Sequence, residues 1–523
     1  MADESAVGAS EEMKEIGHQT AKRGIIYVAG EAGTSVVTAV MLIVLARLLQ
    51  PAAFGNYTIA IAFLGMLTIG STFGVGVAFR KMLPETKKKT DLDGILSNGY
   101  TLALGVGLAV TIIGLIASGW IAVHVYDNPA LGYALELAAA AEFLSVLFNL
   151  GQAAAVGMHM VKEATYSNIA YSVGSFAFAV GLVVLGYGYT GAVLGTLIGL
   201  LVGSVVSIVY IAGRIKFSLS APSGKTLSRL TTFSGPVVAS QVATFGAQNF
   251  GVLFLGVFAA QAVVGNYGAA FKIARVIELG ITTITFILLP AFSTALMKKV
   301  TAKGIGEMYN KSLKYTSLLL FPAVAYMIAV ASPFIRLLFS TSYASAPLYF
   351  AIIAAGMAIG LIGTYAGTLM VGYGDIKKFM WYQLAAVALQ VALLVVLTPT
   401  YRAVGVLVSL FVITPVVLNV LYIKALEREF RIKHQLREVY AAGAAAVALG
   451  LVLYGISYAL SFGYAAIAAD LVVAVLAYPP AAGLAGAVSR SDITAMRKTA
   501  SMLKPIRWLV EPMLGYTYIF AQK

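Results

Sequence analysis

Polar residues divide the chain into fourteen apolar stretches, at about 24–46, 54–79, 95–122, 130–158, 164–186, 190–213, 234–258, 264–296, 315–331, 345–372, 379–398, 403–423, 438–461 and 464–488. A helix needs about 20 apolar residues to cross the hydrocarbon of a bilayer, and most of these stretches supply them. The apolar character runs on through each stretch. It does not alternate in segments of about ten residues, so helices are expected and not a membrane barrel. Met1–Arg23 has no apolar core and does not read as a secretory signal. A short interfacial helix is expected over Glu11–Arg23, with Ser10 as its N-cap. The tail Ser489–Lys523 mixes Trp508, Leu509 and Tyr516 with Lys504, Arg507 and Glu511, an amphipathic interfacial pattern.

Composition agrees and narrows the chemistry. Of the 523 residues, 60% are hydrophobic and 11% charged, against about 45–50% and 25% in a soluble globular protein. The chain has no cysteine, which removes disulfides, iron–sulfur clusters and thiolate zinc sites. His18, His124, His159 and His434 are too scattered for a metal motif, and no cofactor motif occurs, so neither metal nor cofactor is expected.

The net charge of +14 raises the possibility of a nucleic-acid partner, and its distribution removes it. With the N-terminus inside, every Lys and Arg except Arg47, Arg336, Arg402, Lys272 and Arg275 falls on the inner side of the fourteen spans. That is the positive-inside pattern of a multi-pass protein of the cell (plasma) membrane with both termini cytoplasmic. The outside loops are too short to fold into a catalytic domain.

Phe54-Gly55-Asn56-Tyr57 returns as Val264-Gly265-Asn266-Tyr267, an offset of 210 residues, and Val156-Gly157 with Lys162 returns as Val371-Gly372 with Lys377, an offset of 215. An even number of spans per unit makes these parallel repeats. The expected fold is therefore an all-α membrane protein with two six-helix pseudo-symmetric lobes around a central cleft, plus two extra C-terminal helices. The expected boundaries are a cytoplasmic segment 1–23, an N-lobe 24–213, a linker 214–233, a C-lobe 234–425, the last two helices 426–488 and an amphipathic tail 489–523.

Ionisable residues inside a membrane are costly and mark function by default. Lys272 and Arg275 are three apart on the eighth span and share a face. They suit binding of a phosphate. The alternative is structural: Arg275 pairs with Glu278, and Lys272 reaches to the interface. Tyr27, Glu31, Thr34 and Thr38 lie on one face of the first span. At offset 210, Gln241, Thr244 and Gln248 answer to the last three, with Asn249 beside them. Two corresponding stripes suit the lining of a cleft, and also plain interhelical hydrogen bonding. Glu31 is a candidate coupling carboxylate for H+ or Na+, or the counter-ion of Lys272 or Arg275. Arg80 ends the second span on the inside, where it serves topology or receives an anionic headgroup. Arg47, outside, is a candidate phosphate contact on the exit side. Glu136 reads as interfacial; Glu142, two turns from Asn149, joins a polar face or forms a local hydrogen-bonded pair; and Asp470, about two turns from the outer end of the fourteenth span, could line a groove for a lipid tail.

Leu45-Ala46-Arg47-Leu48-Leu49-Gln50-Pro51-Ala52-Ala53-Phe54-Gly55-Asn56-Tyr57 resembles the A-R-x-L-G-P-x-x-F-G-x-Y pattern of the polysaccharide transporter (O-antigen flippase) family, within the multidrug/oligosaccharidyl-lipid/polysaccharide exporter superfamily. Gln50 stands where that pattern has glycine. Phe79-Arg80-Lys81-Met82-Leu83-Pro84-Glu85 is similar to the family's basic-then-L-P-E ending, and Gly265-Asn266-Tyr267 with Ala270 to its G-x-Y-x-x-A opening. Pro333–Tyr343 is similar to P-x-I-x-L-L-F-G-x-x-Y, with Ser340 at the glycine. The resemblance implies alternating-access transport of a polyprenyl-(pyro)phosphate-linked oligosaccharide, working among membrane lipids as a monomer without catalysis. Lys272 and Arg275 would then hold the phosphate. A cation-coupled drug or metabolite exporter is the alternative, weakened by the two extra spans. A membrane glycosyltransferase or polymerase would need an outside catalytic loop or an acidic metal cluster. Asp91-Leu92-Asp93, in a cytoplasmic loop beside Lys87-Lys88-Lys89, is a poor substitute.

Overall fold

The computed structural model describes residues 2–71, 74–86, 89–213, 247–274, 300–373, 375–494 and 507–520, with Gly224, Leu288, Phe292, Ala295 and Arg497; side chains are described from Gly30 onward. Among the described residues the elements are helices, and nine stretches are long and apolar enough to cross a membrane. This is a multi-pass membrane protein. The chain forms two compact units, Met1–Gly265 and Asn266–Lys523.

Several expected loops are replaced by sharp breaks in continuous helices. Ala2–Ser71 is 70 residues long, about 105 Å if straight, far more than the roughly 30 Å of hydrocarbon. It breaks at Gln50 (φ 62°, ψ 167°), just before Pro51, which has no N–H to give the helix. The helix also starts at Ala2, so Ser10 lies inside it and is not an N-cap. Val161–Leu182 and Gly188–Ala212 are joined through a short π-helical turn that ends with Gly186 at φ 93° and Gly188 at φ 56°. Ile376–Val408 breaks at Arg402 (φ 49°) and continues into Thr414–Glu429. The chain doubles back there, because Tyr422 donates to Gln383 Oε1 at 3.1 Å and stacks on Phe379.

In the first unit, Gly195, Gly199 and Gly203 form a stripe four residues apart on Gly188–Ala212. A Cβ on any of them would strike Ala179, Ser175 or Tyr171 of the preceding helix. In the second unit, Arg437–Ala459 packs Ala442, Ala446, Leu449 and Leu453 against Ala325 and Ala329 of Ala302–Ala329.

The repeated motif has a three-dimensional counterpart. A Cβ on Gly55 would strike the carbonyl of Gln261, and a Cβ on Gly265 the carbonyl of Pro51. The contacts are reciprocal, because Gln261 and Gly265 are the counterparts of Pro51 and Gly55 at offset 210. The next residue does similar work in both copies. Asn56 Oδ1 accepts from Asn128 at 3.3 Å, and Asn266 Oδ1 accepts from the backbone N–H groups of Ser345 and Ala346 at 3.1 and 3.0 Å.

Candidate functional site

The second span is described to Ser71, and Gly74, whose φ of 69° suits glycine, breaks the helix before Val75–Glu85. Facing the break from Gly132–Gly157 is Glu142, fully buried. Its Oε2 accepts from Thr68 Oγ1 at 2.5 Å and its Oε1 accepts from Ser71 Oγ. Thr68 Oγ1 is 3.2 Å from Ser145 Oγ, and Asn149 Nδ2 donates to the Ser145 carbonyl at 2.8 Å and to its hydroxyl at 3.2 Å. Glu142, Ser145 and Asn149 are spaced three and four apart, so one face of the fourth span delivers all three.

Beside this chain of polar groups lies a cavity of about 450 Å³. Thr68, Arg80, Ser145, Asn149, Tyr171 and Asn249 give it its polar lining. Arg80 arrives from the short helix after the break and Asn249 from Ala247–Phe258. Gly65 makes room for Asn249, since a Cβ there would sit 2.9 Å from its Nδ2. The cavity thus offers a guanidinium, amides and hydroxyls, which suit phosphate and sugar oxygens.

Glu31 is half-buried, and Asn168 Nδ2 from the fifth span donates to its Oε1 at 3.0 Å. Thr34 Oγ1 donates to the Glu31 carbonyl at 3.0 Å and lies 3.4 Å from the same amide. Asn168 is one turn before Tyr171, which reaches the cavity.

The residues expected from sequence are thus only partly gathered. Arg80 and Asn249 line one cavity. Arg47 is exposed in the turn before the Gln50 break, where Gln50 Nε2 donates to its carbonyl at 2.8 Å. Lys272, in the second unit, is half-buried on the helix 261–274. Gln241, Arg275 and Glu278 lie outside the described residues, as do the side chains of Tyr27 and Gln248. Glu136 is exposed, and Asp470 is buried and accepts from Ser457 Oγ at 2.6 Å. Thr68 and Tyr171 line the cavity, Ser71 bonds Glu142 and Asn168 bonds Glu31, four positions that the sequence did not mark as candidates.

The second unit holds a different kind of space. An apolar groove of about 830 Å³ runs among Ala302–Ala329, Ala346–Gly372, Thr414–Glu429 and Arg437–Ala459. Phe321, Ile328, Ile359, Ile423, Val447 and Tyr454 are among its walls. Asn419 also borders it, with its amide spent on Gly363 N–H and the Ile359 carbonyl, both at 2.7 Å. Near the middle of Ala302–Ala329, Lys314 is buried between Asp492 at 2.6 Å and Glu438 at 2.9 Å, and Tyr315 donates to Asp492 at 3.1 Å. Burial pushes the Asp492 carboxyl up, but hydrogen bonds from Lys314 and Ser489 outweigh it and hold it below the usual carboxylate range. Among the described residues no three His, Cys, Asp or Glu are grouped to hold a metal ion.

The family described as polysaccharide biosynthesis protein matches residues 44–347. The probable low-salt glycan biosynthesis flippase Agl15 of Haloferax volcanii is 25% identical over 316 residues, which is 60% of this chain and 64% of that protein. The match therefore spans just under two thirds of that relative's length. Among solved structures, the inward closed conformation of the lipid II flippase MurJ superposes with a TM-score of 0.71 at 14% identity, covering 87% of this chain and 97% of that one. An inward-facing multidrug resistance MATE family transporter of the MOP superfamily gives 0.65 at 16% identity, covering 76% and 94%. A MOP superfamily transporter from Pyrococcus furiosus gives 0.51 at 17% identity, covering 78% and 95%. At these identities the likeness speaks for the fold.

Proposed function

The chain belongs to the polysaccharide biosynthesis protein family, and from that premise we propose that it is a flippase. It moves a polyprenyl-(pyro)phosphate-linked oligosaccharide from the cytoplasmic to the outer leaflet by alternating access, for cell-surface polysaccharide or glycoprotein synthesis. The observation that carries this reading is the division of chemistry. The first unit has a polar cavity with Arg80, Asn149 and Asn249, and the second has an apolar groove four helices wide. A lipid-linked glycan needs both: hydrogen-bond donors for phosphate and sugar, and apolar surface for a long chain. The names of the Haloferax relative and of MurJ support the same class of cargo.

In this reading Arg80 and Asn249 take the headgroup, with Lys272, Arg275 and Arg47 as further phosphate contacts and Tyr27, Gln241 and Gln248 completing the polar lining. Glu31 and Glu278 serve as coupling or counter-ion groups, with H+ or Na+ as the ion. Both termini are cytoplasmic, the lobes are 24–213 and 234–425 joined by 214–233, and the protein works as a monomer without catalysis.

The test is flipping of a fluorescent polyprenyl-phosphate glycan in proteoliposomes. Each charge-assisted contact is worth about 1.5–3 kcal/mol, so Lys272→Ala with Arg275→Ala is expected to cut flipping by at least about tenfold with the fold retained. Undiminished flipping would remove these two from the site. Expulsion of lipophilic cations with no glycan movement would move the protein to the drug-exporter class. Glu31→Gln, assayed against pH and membrane potential, tests coupling.

A further inference from the structure

Glu142 has no part in the reading above. Its relative exposure is 0%, and its two oxygens accept from the neutral hydroxyls of Thr68 and Ser71. No Lys, Arg or His bonds it among the described residues. An ionised carboxylate out of water pays a desolvation cost that two hydroxyls offset only in part. A proton removes that cost.

We propose that Glu142 is a proton-binding site, loaded and emptied through Thr68 from the cavity of the first unit. Both protonation states can be satisfied in place. Thr68 Oγ1 lies 2.5 Å from Glu142 Oε2 and 2.9 Å from the Leu64 carbonyl, and Ser71 Oγ lies 3.1 Å from the Thr68 carbonyl as well as against Oε1. When Glu142 is ionised, both hydroxyls donate to it. When it is protonated, its O–H donates to Thr68 Oγ1, whose own hydrogen turns to the Leu64 carbonyl. Ser71 turns likewise to the Thr68 carbonyl. Only hydroxyl hydrogens rotate.

Access follows from the same residue. Thr68 lines the cavity with Ser145 and Asn149, whereas Glu142 stands behind it. The titratable groups sharing that cavity are Arg80 from the short helix and Tyr171 from the fifth span. The packed stretches 54–71, 95–122 and 188–212 contain no Asp, Glu, Lys, Arg or His. Glu31 on the first span is bonded to Asn168, Lys162 and Glu163 sit in the first turn of the fifth, and Glu136, on the helix of Glu142 itself, is exposed. The consequence is mechanical. Thr68 and Ser71 lie on the last described turn ahead of the break at Gly74. Hydrogen bonds to an ionised acceptor are the stronger kind, so protonation loosens the second span where it bends.

What the proton is coupled to rests on the flippase reading, but its binding does not. Infrared difference spectra of the whole protein in lipid nanodiscs, taken across about pH 4 to 9, should show the carbonyl stretch of a protonated carboxylic acid that Glu142→Gln removes. Thr68→Val takes a donor from the ionised form and should raise the midpoint of that band by about one to two pH units. A band unchanged in Glu142→Gln, or a midpoint unmoved by Thr68→Val, overturns the proposal. If Glu142→Gln fails to fold, the Thr68→Val midpoint decides alone. In proteoliposomes, Glu142→Gln should flip glycan without responding to a pH gradient. A full wild-type response in that variant overturns the coupling. A wild type that flips no glycan, yet loses the band in Glu142→Gln, overturns the flippase reading and supports the proton site.

Discussion

Gln50 and Ser340 occupy the glycine positions of the patterns they resemble, and both have positive φ, 62° and 123°. Backbone in such regions costs a side-chain-bearing residue about 1–3 kcal/mol. Gln50→Gly and Ser340→Gly are each expected to stabilise the protein by about 1 kcal/mol, less the extra entropy of glycine in the unfolded chain. A rise in thermal melting temperature in detergent would show it, and no rise would mean that the side chains repay the strain. Asp492 makes a pH prediction. Its carboxyl is held below the ordinary value of 3.8, so its contribution is fully present above that value and disappears as pH falls through the lowered one. Asp492→Asn is expected to cost about 1–3 kcal/mol near neutrality. The gap to wild type in a melting series should close toward strongly acidic pH.

Among the elements, the fifth and sixth spans show what holds helices together in lipid. Apolar side chains gain little by leaving lipid for one another, so close approach and hydrogen bonds do the work. The Gly195, Gly199 and Gly203 stripe supplies the approach. Ser167 donates to the Gly203 carbonyl at 2.9 Å, Ser204 to the Leu144 carbonyl at 3.1 Å and Gln152 to the Ala164 carbonyl at 3.0 Å. Gly199→Leu would push against Ser175 and is expected to cost about 1–3 kcal/mol or more, read as a lower melting temperature. Gly181→Leu, on the same hairpin with open space at its Cβ, is the matched control and should change little. The sequence marked these spans as apolar runs. The stripe of small residues within the sixth is legible there too, but which neighbour it faces is not.

At the scale of the whole molecule, the division into a polar cavity and an apolar groove yields a test of cargo. Ala358→Trp and Ala444→Trp fill the groove. Both are expected to slow flipping of a long-chain polyprenyl glycan several-fold more than that of a short-chain analogue, because only the long chain needs the apolar wall. Equal slowing of both would mean the groove bends with the protein and does not hold a tail. That the chain forms many apolar helices able to cross a membrane was legible in the sequence because bilayer thickness acts on each segment separately, and a run of apolar residues is a local property. The 210-residue echo was legible for the same reason, as a comparison of short segments. What only the tertiary structure decided is which polar groups meet. Glu142 finds Thr68, 74 positions away, Glu31 finds Asn168, 137 away, and Lys314 finds Asp492, 178 away. Those meetings depend on how each helix is rotated about its axis and which helix lies beside it. Both follow from packing many helices at once, and no single stretch of sequence carries them.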